Sequence, residues 1–267
     1  MCPPFTIDNR EPNNALMLSG AAPYDVARAF DQFLKLYRTI IGLGGVVYLM
    51  PSPGDFQDIP FVANLGLVPY PFYRKLLVSN FTSLPRVGED GVGAWFFASL
   101  GYDVLKCPCK WEGEADLKWL YGDTYVGGYG QRSTIEAYDW MCDEFGMNVI
   151  KVRLSDPRLY HLDCSLTLLS RERVLVAASA LDPDDLKKIH GVANVVVVPE
   201  QYVYDGWTNS IRIGDTILHH SRDAGSGVAF RKLLELIGLN LELIDLSEFD
   251  KSGADLSCLV MHLNQQC

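Results

Sequence analysis

The sequence predicts an α/β protein of five similar units, and three observations carry that expectation. First, an apolar-periodic helical stretch ends at glycine and runs into a β-branched segment five times over. Second, the terminating glycines at 45, 101, 146, 191 and 238 stand 56, 45, 45 and 47 residues apart, so five such units fill the 267-residue chain. Third, residues 209–213 and 216–219 flank Gly214-Asp215 as a hairpin, so a unit holds strands beyond the one that follows its helix. Alternating strands and helices alone would suggest an open doubly wound sheet. A helix-plus-sheet unit of ββαβ type repeated five times closes more naturally into a ring.

The elements follow in order. Residues 24–43 place Val26, Phe30, Phe33, Leu34 and Tyr37 on one helical stripe, and Gly44-Gly45 leads to a strand at 46–49. Residues 94–100 read as the second helix, with a strand at 103–105. The third spans 134–145 with a strand at 148–152, and Ser133 with Glu136 three positions on reads as its capping box. The fourth covers 182–190 with a strand at 194–198, and the fifth covers 228–237 with a strand at 241–245. Glycine suits each helix end because it adopts positive φ without a Cβ clash.

Composition excludes other classes. With 48% hydrophobic and 21% charged residues and a mean hydropathy of +0.06, the chain is that of a globular protein, not a disordered one. It has no run of eighteen apolar residues, and Met1-Cys2-Pro3-Pro4 lacks a signal-peptide pattern, so no membrane span and a cytoplasmic location are expected. A net charge of −10 disfavours nucleic acid as a partner. Seven cysteines, an odd number, argue against a disulfide framework. Cys107-Pro108-Cys109 is too tight for a zinc knuckle, and His219-His220, adjacent on a strand, face opposite sides, so neither metal nor cofactor is expected.

If the units are related by rotation, residues at one phase converge. Counted from the terminating glycines, Asn64 lies 19 on, Glu112 and Asp116 lie 11 and 15 on, and His161 and Asp163 lie 15 and 17 on. Asn209 lies 18 on and Cys258 lies 20 on. Taken singly, Cys258 reads as a small core residue and His161 as a satisfied core histidine. Together the set offers a nucleophile, a base and several carboxylates.

The ordered segments Phe61-Val62-Ala63-Asn64, Arg86-Val87-Gly88-Glu89, Trp111 to Asp116, Tyr129-Gly130-Gln131-Arg132-Ser133, Tyr160-His161-Leu162-Asp163 and Ser252 to Leu259, with an asparagine loop at Asn13-Asn14 before them, resemble the guanidine-modifying superfamily, the penteins. The chain is most similar there to compact arginine dihydrolases. The resemblance implies a five-bladed α/β propeller, one guanidine-modifying catalytic domain over 1–267, with no cofactor. It implies Cys258 as nucleophile and His161 as acid and base, with Glu112 beside them. Glu112, Asp116 and Asp163 would hold the guanidinium, Arg86 and Arg132 a substrate carboxylate, and Asn14, Asn64 and Asn209 would complete the binding set.

A guanidinium carbon is a poor electrophile, so a thiolate, flanking carboxylates and an acid for the departing nitrogen suit it. Asn64 resembles the dihydrolases, which remove both terminal nitrogens of arginine to leave ornithine, ammonia and carbon dioxide. Amidinotransferase, arginine deiminase and dimethylarginine dimethylaminohydrolase activities remain alternatives, as does a non-catalytic guanidino-binding propeller. A small guanidino molecule is the expected partner, and a homo-oligomer is left open. Gly253-Ala254, Glu114-Ala115, Cys164 and Val176-Ala177-Ala178-Ser179 depart from the family pattern.

Overall fold

Residues 1–20, 22–72 and 74–264 are described in the computed structural model of the chain. Helix α1 (Ala15–Leu18) is capped by the Asn14 side chain, and α2 (Val26–Gly42) by Asp25. The buried stripe of α2 is Ala29, Phe33, Leu36 and Ile40. That four-three-four spacing follows one helix face, and it is rotated from the expected stripe, leaving Val26 exposed.

Four copies of one unit follow. Strands β1 (Gly66–Leu67) and β2 (Lys75–Val78) pair antiparallel, α3 (Glu89–Ser99) crosses over, and β3 (Asp103–Lys106) pairs parallel to β2. The same order recurs in β4 (Leu117–Tyr121), β5 (Thr124–Tyr129), α4 (Ile135–Phe145) and β6 (Asn148–Arg153). It recurs again in β7 (Leu166–Ser170), β8 (Arg173–Val176), α5 (Pro183–His190) and β9 (Asn194–Val197). The fourth copy is β10 (Ile211–Ile213), β11 (Thr216–His219), α6 (Ala224–Glu235) and β12 (Asn240–Leu243). The expected hairpin is thus β10 and β11, and α7 (Ser247–Asp250) follows. The parallel strand needs the helix crossover, which explains the spacing of about fifty residues per unit.

The repeat glycines Gly101, Gly146 and Gly238 take φ of 83°, 64° and 78°, whereas Gly191 sits at −70° and, in the first unit, Gly44 rather than the expected Gly45 is left-handed at 89°. Two expectations change. Residues 46–49 form no strand, because among the described residues their segment makes just two ladder-like backbone bonds, both with one residue: Met1 N to Tyr48 O (3.1 Å) and Met50 N to Met1 O (2.9 Å). The capping box also fails: Thr134 is the N-cap of α4, without a side-chain cap bond, and Ser133 serves elsewhere.

What positions the site is a set of tight turns ahead of the sheets. Val62–Leu65 packs against both Gly113–Ala115 and Leu256–Leu259, while Leu162–Cys164 packs on β4, β5 and β7. Gly113 shows why the first contact is so close. At φ +67° its missing Cβ would lie 2.5 Å from the Ala63 carbonyl oxygen and 2.6 Å from the Asn64 carbonyl carbon. No helix among the described residues is long and apolar enough to cross a membrane.

Candidate active site

Cys258 occupies the third position of the turn Leu256–Leu259, whose first N–H is capped by the Asp255 carboxylate at 2.8 Å. Asp255 lies 3.2 Å from the Arg222 guanidinium. The thiol is buried, with Asn209 Nδ2 3.6 Å from Sγ and Asp163 Oδ2 3.8 Å away. Asn209 is oriented by Oδ1, which accepts from Ser257 N at 2.9 Å, and the Ser257 hydroxyl donates to Asp163 at 2.6 Å. Burial, then the Asp163 charge, pushes the Cys258 thiol up to about 12, so the unliganded site holds a thiol. A cation placed beside it would reverse that balance.

His161 Nε2 stands 3.0 Å from Glu112 Oε2 and 3.2 Å from Asn64 Nδ2. The other Glu112 oxygen accepts from Thr82 N (3.0 Å) and Ser83 N (3.2 Å), and Arg132 Nη1 lies 3.4 Å from Oε2. Burial alone would raise the Glu112 pKa, but the His161 hydrogen bond and the Arg132 charge hold it down at about 2. An ionised carboxylate requires a donor, which puts a proton on Nε2 and frees the Asn64 amide hydrogens to face the cavity. Arg132 stacks over Tyr160 at 5.0 Å and donates to the Asn13 carbonyl at 2.6 Å.

These side chains meet at one cavity of about 20 Å³, enough for one water. Asn14, Asn64, Arg86, Arg132, His161 and Cys258 line it, with Asp58, Phe61 and Ala254 among their neighbours. Glu112, Asp163 and Asn209 stand directly behind, touching His161 or Cys258. A second recess of about 840 Å³ is lined largely by apolar residues such as Val46, Phe96 and Ile213, and among the described residues no thiol or carboxylate stands on its wall.

Two residues sit differently from expectation. Asp116 lies behind the wall: Oδ1 accepts from Leu162 N (3.1 Å) and Oδ2 from Ser133 Oγ (2.5 Å), whose oxygen in turn accepts from Glu112 N (3.1 Å). Asp116 therefore braces the turns that carry His161 and Glu112, and burial pushes it up to about 6. Arg86 directs Nε and Nη2 at Glu89 Oε2 (3.0 and 2.6 Å) and Nη1 at Asn64 Oδ1 (2.7 Å), away from a free grip on a carboxylate.

Asp58 is the residue the sequence reading missed. It is buried on the cavity wall, with Oδ2 2.5 Å from Asn13 Nδ2 and 3.3 Å from Gln57 Nε2, and burial raises its pKa. An acid six positions before Asn64, just ahead of Ile59-Pro60-Phe61-Val62, was the available signal. Two departures from the family pattern find partners. Glu114 accepts from His262 N at 2.8 Å and lies 2.5 Å from its Nδ1, while Cys164 Sγ is 3.9 Å from the Asn209 Nδ2 that also faces Cys258.

No family model matches the chain. It is 27% identical over 246 residues to an N(G),N(G)-dimethylarginine dimethylaminohydrolase of Mycobacterium tuberculosis, covering 91% of this chain and 78% of that protein. It is 27% identical over 276 residues to the bifunctional arginine dihydrolase/ornithine cyclodeaminase ArgZ of Synechocystis sp., covering 99% of this chain but just 37% of that longer protein. The structure of the N-terminal domain of ArgZ covalently bound to a reaction intermediate superimposes with a TM-score of 0.92 at 25% identity, covering 99% of this chain and 97% of that one. A dimethylarginine dimethylaminohydrolase adduct shares the fold at a TM-score of 0.71 and 20% identity, covering 89% and 92%. Six motifs in order, turns that gather them and these α/β relatives together support the guanidine-modifying, pentein-type superfamily for the chain.

Proposed function

We propose that the protein is a cysteine-dependent hydrolase of guanidino substrates, acting as an arginine dihydrolase: arginine and two waters give ornithine, two ammonia and one carbon dioxide. The observation that carries this reading is the single cavity lined by the Cys258 thiol, the His161 imidazole and the Asn64 amide. A planar cation there would lie beside Asp163, drawing the thiol proton off and leaving a thiolate. Sulfur attacks the guanidinium carbon, His161 delivers the proton to the departing nitrogen, and ammonia leaves a thiouronium on Cys258. Water adds with His161 as base and the second nitrogen departs as ammonia. A second water then releases carbon dioxide, the amine and the free thiol.

The relatives differ in substrate, one named for dimethylarginine and one for arginine. Asn64 favours the second, because its amide can donate to the oxygen that the reacting carbon acquires after water adds. Arg132 and Asp58 supply opposite charges suited to the carboxylate and ammonium of an amino acid.

The same reading completes the ring. Met1 between Tyr48 and Met50 has the bonding of a parallel bridge, and Met1, Val47 and Val260 share one core while Cys2, Met50 and Met261 share another. These segments supply a fifth blade, with the turn Leu256–Leu259 at its head. Free thiols at the six cysteines among the described residues suit a reducing cytoplasm.

Mass-spectrometric product analysis with arginine, dimethylarginine and amine acceptors tests the proposal. Ornithine and ammonia should appear at 1:2 with arginine and vanish in Cys258→Ala. Citrulline as sole product would make the enzyme a deiminase, and no turnover of any guanidine would leave a binding protein.

A further inference from the structure

We propose that Glu89 is a positioning residue that, through Arg86, fixes which end of the Asn64 amide faces the cavity and so decides whether the second nitrogen leaves. The inference rests on the dihydrolase reading above. An asparagine side chain has two ends of equal size and opposite character, an accepting oxygen and a donating nitrogen, so shape alone does not orient it. Here Arg86 Nη1 donates to Asn64 Oδ1 at 2.7 Å, and that bond turns Nδ2 toward His161 Nε2 at 3.2 Å.

Arg86 is itself immobilised. Its Nε and Nη2 hold Glu89 Oε2 at 3.0 and 2.6 Å, and Nη2 also reaches the carbonyls of Asp58 (3.2 Å) and Phe61 (3.1 Å). Its guanidinium lies over the Phe81 ring at 4.8 Å. Glu89 is fully buried, and among the described residues nothing hydrogen-bonds its second oxygen, Oε1. A half-satisfied buried carboxylate is destabilising, and its one strong contact is the guanidinium that orients Asn64.

The orientation matters at one step. While the substrate is a cation, an amide oxygen at position 64 is no handicap, since it can accept hydrogens that the guanidinium offers. Once water has added, the carbon carries an oxygen on which negative charge collects as the second nitrogen leaves. Only the N–H end of Asn64 stabilises that charge. A flipped amide repels it, and the intermediate collapses instead by expelling the Cys258 sulfur, leaving the ureido product citrulline.

The test is the citrulline-to-ornithine ratio per arginine consumed by the full chain. In Glu89→Gln, which keeps the volume and removes the charge, that ratio should rise roughly tenfold or more, the loss of one charge-assisted hydrogen bond. Release of the first ammonia should stay within a few-fold. Arg86→Lys, which keeps the charge but lacks the fork, should move the ratio the same way. A purely structural role would depress both products together, so an unchanged ratio in a folded Glu89→Gln overturns the inference. If that variant does not fold, the same reading is taken from Glu89→Asp, where an unchanged ratio again overturns it. Citrulline alone from the unsubstituted protein would sink this inference together with the dihydrolase reading. Ornithine from it, with unmoved variants, sinks the positioning role alone.

Discussion

Asp163→Asn separates two jobs of one carboxylate, because it should make the nucleophile more reactive and the enzyme worse. Asp163 Oδ2 lies 3.8 Å from Cys258 Sγ. At an effective dielectric between about 20 and 80, a unit charge at that distance disfavours the thiolate by roughly 1–4 kcal/mol. Burial, the larger cause of the rise, remains in the variant, so removing the charge would lower the thiol from about 12 by roughly one to two pKa units. At pH 9 the thiolate fraction then rises at least about tenfold, and the lower intrinsic nucleophilicity of a less basic sulfur cuts the net gain to about threefold or more. The assay is iodoacetamide alkylation of the free protein at pH 9, read by peptide mass spectrometry, since Cys109, Cys142 and Cys164 are also partly accessible. Meanwhile kcat/KM for arginine should fall at least about tenfold, as the cation loses a charge-assisted acceptor. Alkylation of Cys258 at an unchanged or lower rate would refute the electrostatic account, for asparagine still accepts the Ser257 hydroxyl.

Three further outcomes follow from the packing. Glu112→Gln should lower stability by about 3 kcal/mol at pH 7, since a carboxyl held at about 2 rather than 4.5 stabilises the fold above pH 4.5 and loses that effect as pH falls toward 2. Urea midpoints should therefore show the gap to the parent roughly halving by pH 3, and a pH-independent gap would contradict it. His219, buried with Nδ1 3.2 Å from Ser210 Oγ and Phe230 against its ring, is held neutral down to about 3, chiefly by burial. Its contribution is complete above pH 6.5 and lost as pH falls, by about 2 kcal/mol between pH 7 and pH 5. The stability difference between parent and His219→Asn should shrink by that amount over the interval. Gly113→Ala adds a clash with Ala63 and Asn64 to a strained φ, and Gly214→Ala, at φ +60° with open space, adds the strain alone. Thermal unfolding should rank Gly113→Ala lower by at least about 2 kcal/mol, with activity lost only there.

The helices and strands were legible because glycine stops and β-branched runs are local signals. The segment 46–49 had the same composition as a strand, but a strand is defined by its partner, and the composition of Val46-Val47-Tyr48-Leu49 does not say that Met1 alone pairs with it. The second helix starts at Glu89, ahead of the expected 94, because Gly93 packs against Leu65 and tertiary contact overrides low propensity. Ser133 resembled a cap by spacing, yet its hydroxyl bonds Asp116 across 17 positions. Convergence of Asn64, His161 and Cys258 was legible from phase, because phase fixes which turn each occupies. Depth was not. Glu112 and Asp116 share one motif, but only Glu112 reaches His161, and Arg86 looked like a free cation until Glu89 and Asn64 were seen to hold it.

Cys258 and His161 stand 97 positions apart on separate turns, with no local element bridging them. Their mutual reach is maintained by side-chain links across seams, such as Ser257 to Asp163 and Asn64 to His161. A seam that breathes by a fraction of an ångström breaks the alignment while every helix and sheet persists. Activity in such an assembly should therefore be lost on warming before the fold gives way, which activity and circular dichroism followed over one temperature ramp would check.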